Sequence, residues 1–246
     1  MHYTIGRFEK NSKKFVGKLN QKEIETHRKV CYIRKTDRDG QLRGIAMNEK
    51  FFDLKKEKQD RMINAALKAF AINGYKRAST DDIVKDAGIS KGLLFHYFGT
   101  KLGLYEFVYD YSVRYIVMEM SAAISQKETD FYVLYEQKEM CKIQALKNYP
   151  YMQQMINQSM QEDDSEAVSV IWERRESYNQ KITEIMQQAD MSKFTEGVDV
   201  YKLRKIIDFT IEGLMTERFR EQAFDVEKLM EEVMEYFGML KKITYK

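Results

Sequence analysis

Along most of this chain the apolar residues return every three or four positions, the period of a helix with one buried face. From Lys56 onward Met62, Ile63, Ala66, Leu67 and Phe70 form such a stripe. Asn73-Gly74 stops it, Gly74 supplying a left-handed C-terminal residue. A second, short helix is predicted from Thr80, whose hydroxyl is placed to cap it, with Asp81 and Asp82 suited to its first turn. Ile83, Val84 and Ala87 give it an apolar face. Gly88 then makes a tight turn, Ser90 caps a third helix from Lys91, Gly99-Thr100 ends it, and Lys101 opens a longer fourth. Beyond Gly103 helix follows helix, at about 102–125, 128–148, 151–160, 163–190, 199–221 and 225–243. The only proline, Pro150, falls at a helix start, where its missing N–H costs nothing, and Asp225 is placed to cap the last helix. The predicted fold class is all-α, an N-terminal three-helix helix-turn-helix domain followed by a larger helical domain.

Residues 1–46 break this pattern. They mix Lys and Arg with short apolar pairs, sustain no helical period and contain the turn-like Asp37-Arg38-Asp39-Gly40. They read as a basic extension, flexible or not native to the chain, with Met47 as a candidate start. The expected division is therefore 1–46 extension, 47–102 helix-turn-helix domain and 103–246 helical body. Charge follows it. The extension holds 12 basic and 5 acidic residues, the next segment 11 and 7, and the body 18 and 26. A positive head on a negative body suits a protein that meets a polyanion with one end. Ordinary solvated faces would give the same sums.

The composition, 43% hydrophobic, supports a packed core. Cys31 and Cys141 are too few for a disulfide framework or a metal site, and free thiols fit a reducing cytoplasm. No apolar run reaches the ~18 residues of a membrane span, and the N-terminus lacks the apolar core of a signal peptide. The expectation is a soluble cytoplasmic protein.

The segment Thr80–Lys101 places two short helices around an Ala-Gly-Ile turn, the shape whose second helix enters the DNA major groove. Such shapes also occur in proteins that never touch DNA. Thr80, Ile83-Val84, Ala87, Gly88, Ile89, Ser90, Lys91, Gly92, Leu94, Phe95, Tyr97, Phe98 and Lys101 closely resemble the signature of the TetR/AcrR family, and Ala66, Phe70 and Gly74-Tyr75 extend the likeness over about residues 55–105. The resemblance implies a dimeric transcriptional regulator, usually a repressor released from its operator by a small molecule. It places Lys91, Gly92 and Leu93 at base edges and nearby backbone, and Tyr97 and Lys101 at phosphates. Thr80 and Ser90 fall at the DNA backbone, though helix capping alone accounts for both. Two departures stand out: Leu93 replaces a hydroxyl residue and Phe95 a tyrosine. His96 is expected at the surface or against the DNA backbone, since His2 and His27 are too distant to share a metal with it. No metal or cofactor is expected.

The resemblance further implies an inducer pocket in the body and pairing of the last two helices with a second copy. Phe131, Tyr135, Met155, Trp172 and Tyr178 are the candidate pocket residues, an adaptable aromatic and Met surface that is equally compatible with plain core. Arg174 and Arg175 beside Trp172 suit either an anionic inducer or a solvated face. The homodimer is expected through residues 199–243, whose stripes at Leu203, Ile206-Ile207, Ile211, Leu214-Met215, Leu229-Met230, Val233-Met234 and Phe237 are broad for a surface helix. The alternative is that these helices pack only on their own chain. The expected partners are thus duplex operator DNA, a small-molecule inducer and a second copy, without a membrane. The competing function is a helical small-molecule-binding protein whose helix-turn-helix is only structural. An enzyme is disfavoured, because no nucleophile–base pair, phosphate loop or metal spacing is present.

Overall fold

The computed structural model describes residues 49–220 and 225–246, so the basic extension, its Asp37–Gly40 turn and Met47 lie outside the described residues. Among the described residues the chain forms nine α-helices and no strand. They are α1 (Lys56–Arg77), α2 (Thr80–Ala87), α3 (Lys91–Phe98), α4 (Lys101–Ala123), α5 (Phe131–Ala145), α6 (Met152–Met160), α7 (Ser165–Gln187), α8 (Val200–Arg220) and α9 (Val226–Thr244). The helices divide into two compact units. The described part of the first runs to Met118 and takes in Tyr149–Tyr178, so the helix-turn-helix shares its unit with most of α4, with α6 and with the start of α7. The second holds Glu119–Asn148 and Asn179–Lys246.

In the first unit, α1 buries Met62, Ile63, Ala66, Leu67 and Phe70, the stripe predicted from spacing. Phe51, in a 3-10 turn at Glu49–Asp53, is wholly buried, with its ring 5.1 Å from Phe98 and 5.3 Å from Phe107. This aromatic cluster pins the chain entry to α3 and α4. The Tyr149 hydroxyl donates to Asp60 (2.8 Å), accepts from the Lys56 ammonium (2.9 Å) and lies 2.6 Å from the Tyr111 hydroxyl. It anchors the segment before α6 to the first turn of α1. Pro150 therefore sits in a turn rather than at the helix start: the Tyr149 carbonyl accepts from Met152 N (3.0 Å), and α6 begins two residues after the proline.

In the second unit Asp130 caps α5 by accepting from the Tyr132 and Val133 amides (3.1 and 3.2 Å). The same carboxylate receives Lys193 and Lys241, each at 3.2 Å, and the Tyr245 hydroxyl at 3.3 Å. The chain end is thereby tied to the start of α5, and Phe131, Phe194 and Tyr245 stack edge to face around it. α9 packs on α5, and its N-terminus is capped by Asp225, as read from the sequence.

Candidate nucleic-acid interface

The helix-turn-helix is built from two serine caps and one glycine. The Ser79 backbone is extended (φ −96, ψ 125) and its Oγ accepts from the Asp82 amide. Ser79 is thus the cap of α2. Thr80, predicted in that role, is instead the first helical residue, one position past the cap. Gly88 ends α2 in the left-handed conformation (φ 63, ψ 44), a shape that costs other residues a steric clash. Its amide bonds Lys85 O and Val84 O, and the Ile89 amide bonds Val84 O at 3.0 Å, which turns the chain sharply. Ser90 then caps α3, its Oγ accepting from Leu93 N at 3.2 Å. Ile83, Ala87, Leu94 and Phe98 are buried on the inner faces.

This leaves the N-terminal corner of α3 open. Ser90, Lys91, Gly92 and His96 are exposed, and Leu93 and Phe95 are half-exposed beside them. The Lys91 ammonium donates to both carboxylate oxygens of Asp81, at 2.9 and 3.0 Å. Thr80 is half-exposed one residue before Asp81. Tyr97 departs from this set, being only 7% exposed with its ring edge-on to Phe51 at 5.7 Å, so most of it is core. Lys101 is also engaged: its ammonium donates to the Lys76 carbonyl (3.0 Å) and lies 4.8 Å over the Tyr75 ring. Partial burial holds its pKa below the usual lysine value, against the pull of Asp164 and Glu162.

The five predicted pocket residues do not fall in one unit. Met155 and Tyr178 are buried in the first, Phe131 and Tyr135 in the second, their rings 4.9 Å apart. Trp172 is 51% exposed, with the Arg175 guanidinium 4.8 Å over its ring, because it points off the outer face of α7. Arg174 is committed to Asp110, which also accepts from Arg114 at 2.7 Å. Asp110 is 2% exposed, and burial pushes its carboxyl up to about 6 against the pull of Arg114. Glu106, one turn earlier, is pushed up to about 7 by burial and by the Asp110 charge. The sequence reading missed this acidic pair. Its trace was the i,i+4 spacing of Asp110 and Arg114 inside an otherwise apolar helix. Among the described residues no group of His, Cys, Asp and Glu could hold a metal ion, and no helix is long and apolar enough to cross a membrane.

Residues 62–108 match the family model described as bacterial regulatory proteins, tetR family. That segment is similar to the helix-turn-helix domain of the TetR family. The matched segment covers α1 from Met62, all of α2 and α3, and the start of α4, the elements that build the exposed corner. Solved structures share this TetR-family fold along most of the chain. A TetR family transcriptional regulator from Chloroflexus aurantiacus J-10-fl is 19% identical with a TM-score of 0.55, the match covering 81% of this chain and 99% of that one. The TetR family regulator PfmR from Thermus thermophilus is 18% identical with a TM-score of 0.51, over 74% of this chain and 97% of that one. A protein described as the superantigen PfiT is 18% identical with a TM-score of 0.50, over 78% and 97%. At these identities the likeness is one of fold, and function has to be argued from the site. No curated protein matches the chain in sequence.

Proposed function

We propose that this chain is a TetR-like dimeric, cytoplasmic DNA-binding regulator, a repressor released from its operator by a small molecule. In this reading residues 47–102 bind DNA and 103–246 sense and dimerise. One observation carries it: α3 presents its capped N-terminus to solvent with Lys91 and Gly92 uncovered, while its opposite face is fully engaged in the core. A helix exposed in this way reaches base edges with its first turn. Exposed Ser90 and half-exposed Thr80 stand at the helix starts, where hydroxyls and free amides meet phosphate oxygens. Leu93 and Phe95 offer apolar contact to thymine methyls in place of hydrogen bonds. Lys101 reaches a phosphate by leaving the Lys76 carbonyl, and Tyr97 acts mainly as the support beneath Phe51.

On the sensing side, the buried Met155 and Tyr178, together with Asp110, Glu106 and Arg174, support a reading in which the first unit takes an inducer with a polar head. The commitment of Arg174 to Asp110 argues against an anionic head. In the second unit, apolar side chains on the outer faces of α8 and α9 support the homodimer.

Binding to duplex DNA measured between 50 and 200 mM salt tests this reading. The chain should bind with an affinity that falls steeply with salt, by a slope of about −0.9 per neutralised phosphate. Lys101→Ala should weaken binding to all sequences alike and shallow that slope by about one. Absence of binding at low salt would leave the helix-turn-helix a structural module. A slope unchanged in Lys101→Ala would keep Lys101 on the Lys76 carbonyl in the complex.

A further inference from the structure

The ion pair between Lys91 and Asp81 contributes little to the fold. Its lysine and aspartate side chains are 50% and 73% exposed, a setting in which ion pairs add little stability. Both helices are already capped by Ser79 and Ser90 and packed through Ile83 and Leu94. What the pair does is place a donor and an acceptor about 3 Å apart on the corner where α2 and α3 both begin. Gly92 follows Lys91, and a Cβ added there would meet nothing within 4 Å, so the corner is open to close approach.

In the major groove a G·C pair offers guanine N7 and O6 as adjacent acceptors with the cytosine N4 donor beside them. Lysine matches the first two and aspartate the third, in that order. An A·T pair places its one donor between two acceptors, so a carboxylate on that donor leaves the ammonium a single acceptor. Elsewhere along DNA the Asp81 carboxylate faces phosphates and repels them, and it keeps the Lys91 ammonium from serving as a free phosphate clamp.

We propose that Asp81 and Lys91 read one G·C base pair in each half of the target sequence, Lys91 donating to guanine and Asp81 accepting from N4 of the paired cytosine. The proposal rests on the DNA-binding reading above and makes Asp81 a specificity-determining residue that favours one base pair and disfavours all others.

The test uses the full chain. Preferred duplexes are selected from a random pool with the wild type, Asp81→Ala and Asp81→Asn, and affinities are measured from 50 to 200 mM salt. The wild type should prefer G·C over A·T at one position of each half-site by about tenfold or more. Asp81→Ala should flatten that preference severalfold, bind random duplex more tightly and steepen the salt slope by about one, as Lys91 becomes free to neutralise a phosphate. Asp81→Asn should move the preference toward A·T, since an amide pairs with adenine. If Asp81→Ala strengthens binding to every sequence equally with the ranking intact, Asp81 is only a repulsive surface charge and the proposal falls alone. If the wild type selects no sequence at all, the DNA-binding reading falls and takes the proposal with it. Unchanged thermal melting of the variants keeps a folding defect from mimicking either result.

Discussion

At the scale of single residues, partly buried carboxyls make stability depend on pH in opposite directions. Glu106 is pushed from an ordinary 4.5 up to about 7 by burial and by Asp110, and Glu136 is pushed up to about 7 by burial against the pull of Lys241. A carboxyl whose folded pKa exceeds its unfolded one takes up a proton on folding. Its contribution is full below the unfolded value and is lost as pH rises through the folded one, here from about 4.5 to 7. Asp130 runs the other way. Burial raises its pKa, but the Val133 amide, Lys193 and Lys241 together hold it below the usual value. Its contribution is present above the unfolded pKa and is lost on acidification. Melting temperatures from pH 4 to 8 should therefore show Glu106→Gln matching the wild type near pH 4 and exceeding it at pH 8. Curves that stay parallel would mean that Glu106 is solvated. Such groups are hard to read from sequence, because a carboxylate on a helix looks the same whichever way it points. Capping shows the same limit: Ser79 and Thr80 are adjacent hydroxyl residues at the start of the same helix, and only the extended backbone at Ser79 decides which one caps.

At the scale of elements, α1 is continuous to Arg77 except at Gly74, whose φ of 67 and ψ of 178 lie where almost only glycine goes. The break frees the Tyr75 amide, which donates to Glu162 Oε2 at 2.8 Å, while Glu162 Oε1 accepts from Asp164 N at 3.2 Å. Asp164 in turn accepts from the Glu166 and Ala167 amides at the start of α7. One carboxylate thus joins the end of α1, which precedes the helix-turn-helix, to the connection between α6 and α7. The interruption at Gly74 was legible in the sequence, because glycine after a helical stripe has a local meaning, but it is a kink with ψ of 178 rather than a left-handed stop, and the helix resumes to Arg77. Its partner was not legible, since Glu162 lies 87 residues away and meets Tyr75 only once α6 packs on α1. Gly74→Ala should cost at least ~1–3 kcal/mol through backbone strain, and Glu162→Ala ~1–3 kcal/mol through an unsatisfied amide. Because both act on one joint, the double variant should lose less than the sum of the two. Denaturant unfolding of the three proteins measures this. Strict additivity would show that the kink and the carboxylate are independent.

At the scale of the whole molecule, the C-terminal helices carry more apolar surface than one chain can cover. The stripes read from the sequence at Leu203, Ile207, Ile211 and Leu214 on α8, and at Leu229, Val233 and Phe237 on α9, are buried within the chain's own second unit. Of the residues named for pairing, Ile206 stays outside, 53% exposed. The structure adds a second, outward set that spacing alone did not separate: Tyr201 at 66%, Phe209 at 69%, Met239 at 52% and Ile243 at 68%. Spacing shows that a helix has apolar residues, whereas which of two faces meets its own core depends on how α8 and α9 pack together. An outward set of this size on two neighbouring helices marks an interaction surface, and a two-fold axis would let the same patch cover itself on a second copy. The chain should sediment as a dimer at micromolar concentration. Phe209→Glu with Ile243→Glu should raise the dissociation constant by about thirtyfold or more for each side chain that anchors the interface. Because both positions face solvent in the single chain, helix content and melting of the monomeric variant should stay close to those of the isolated wild-type subunit. Its affinity for a palindromic duplex should fall toward that for a half-site, since the two recognition helices would no longer be held one DNA turn, ~34 Å, apart. A wild type that sediments as a monomer, or a doubly charged variant that still dimerises, would move the interface off the outer faces of α8 and α9.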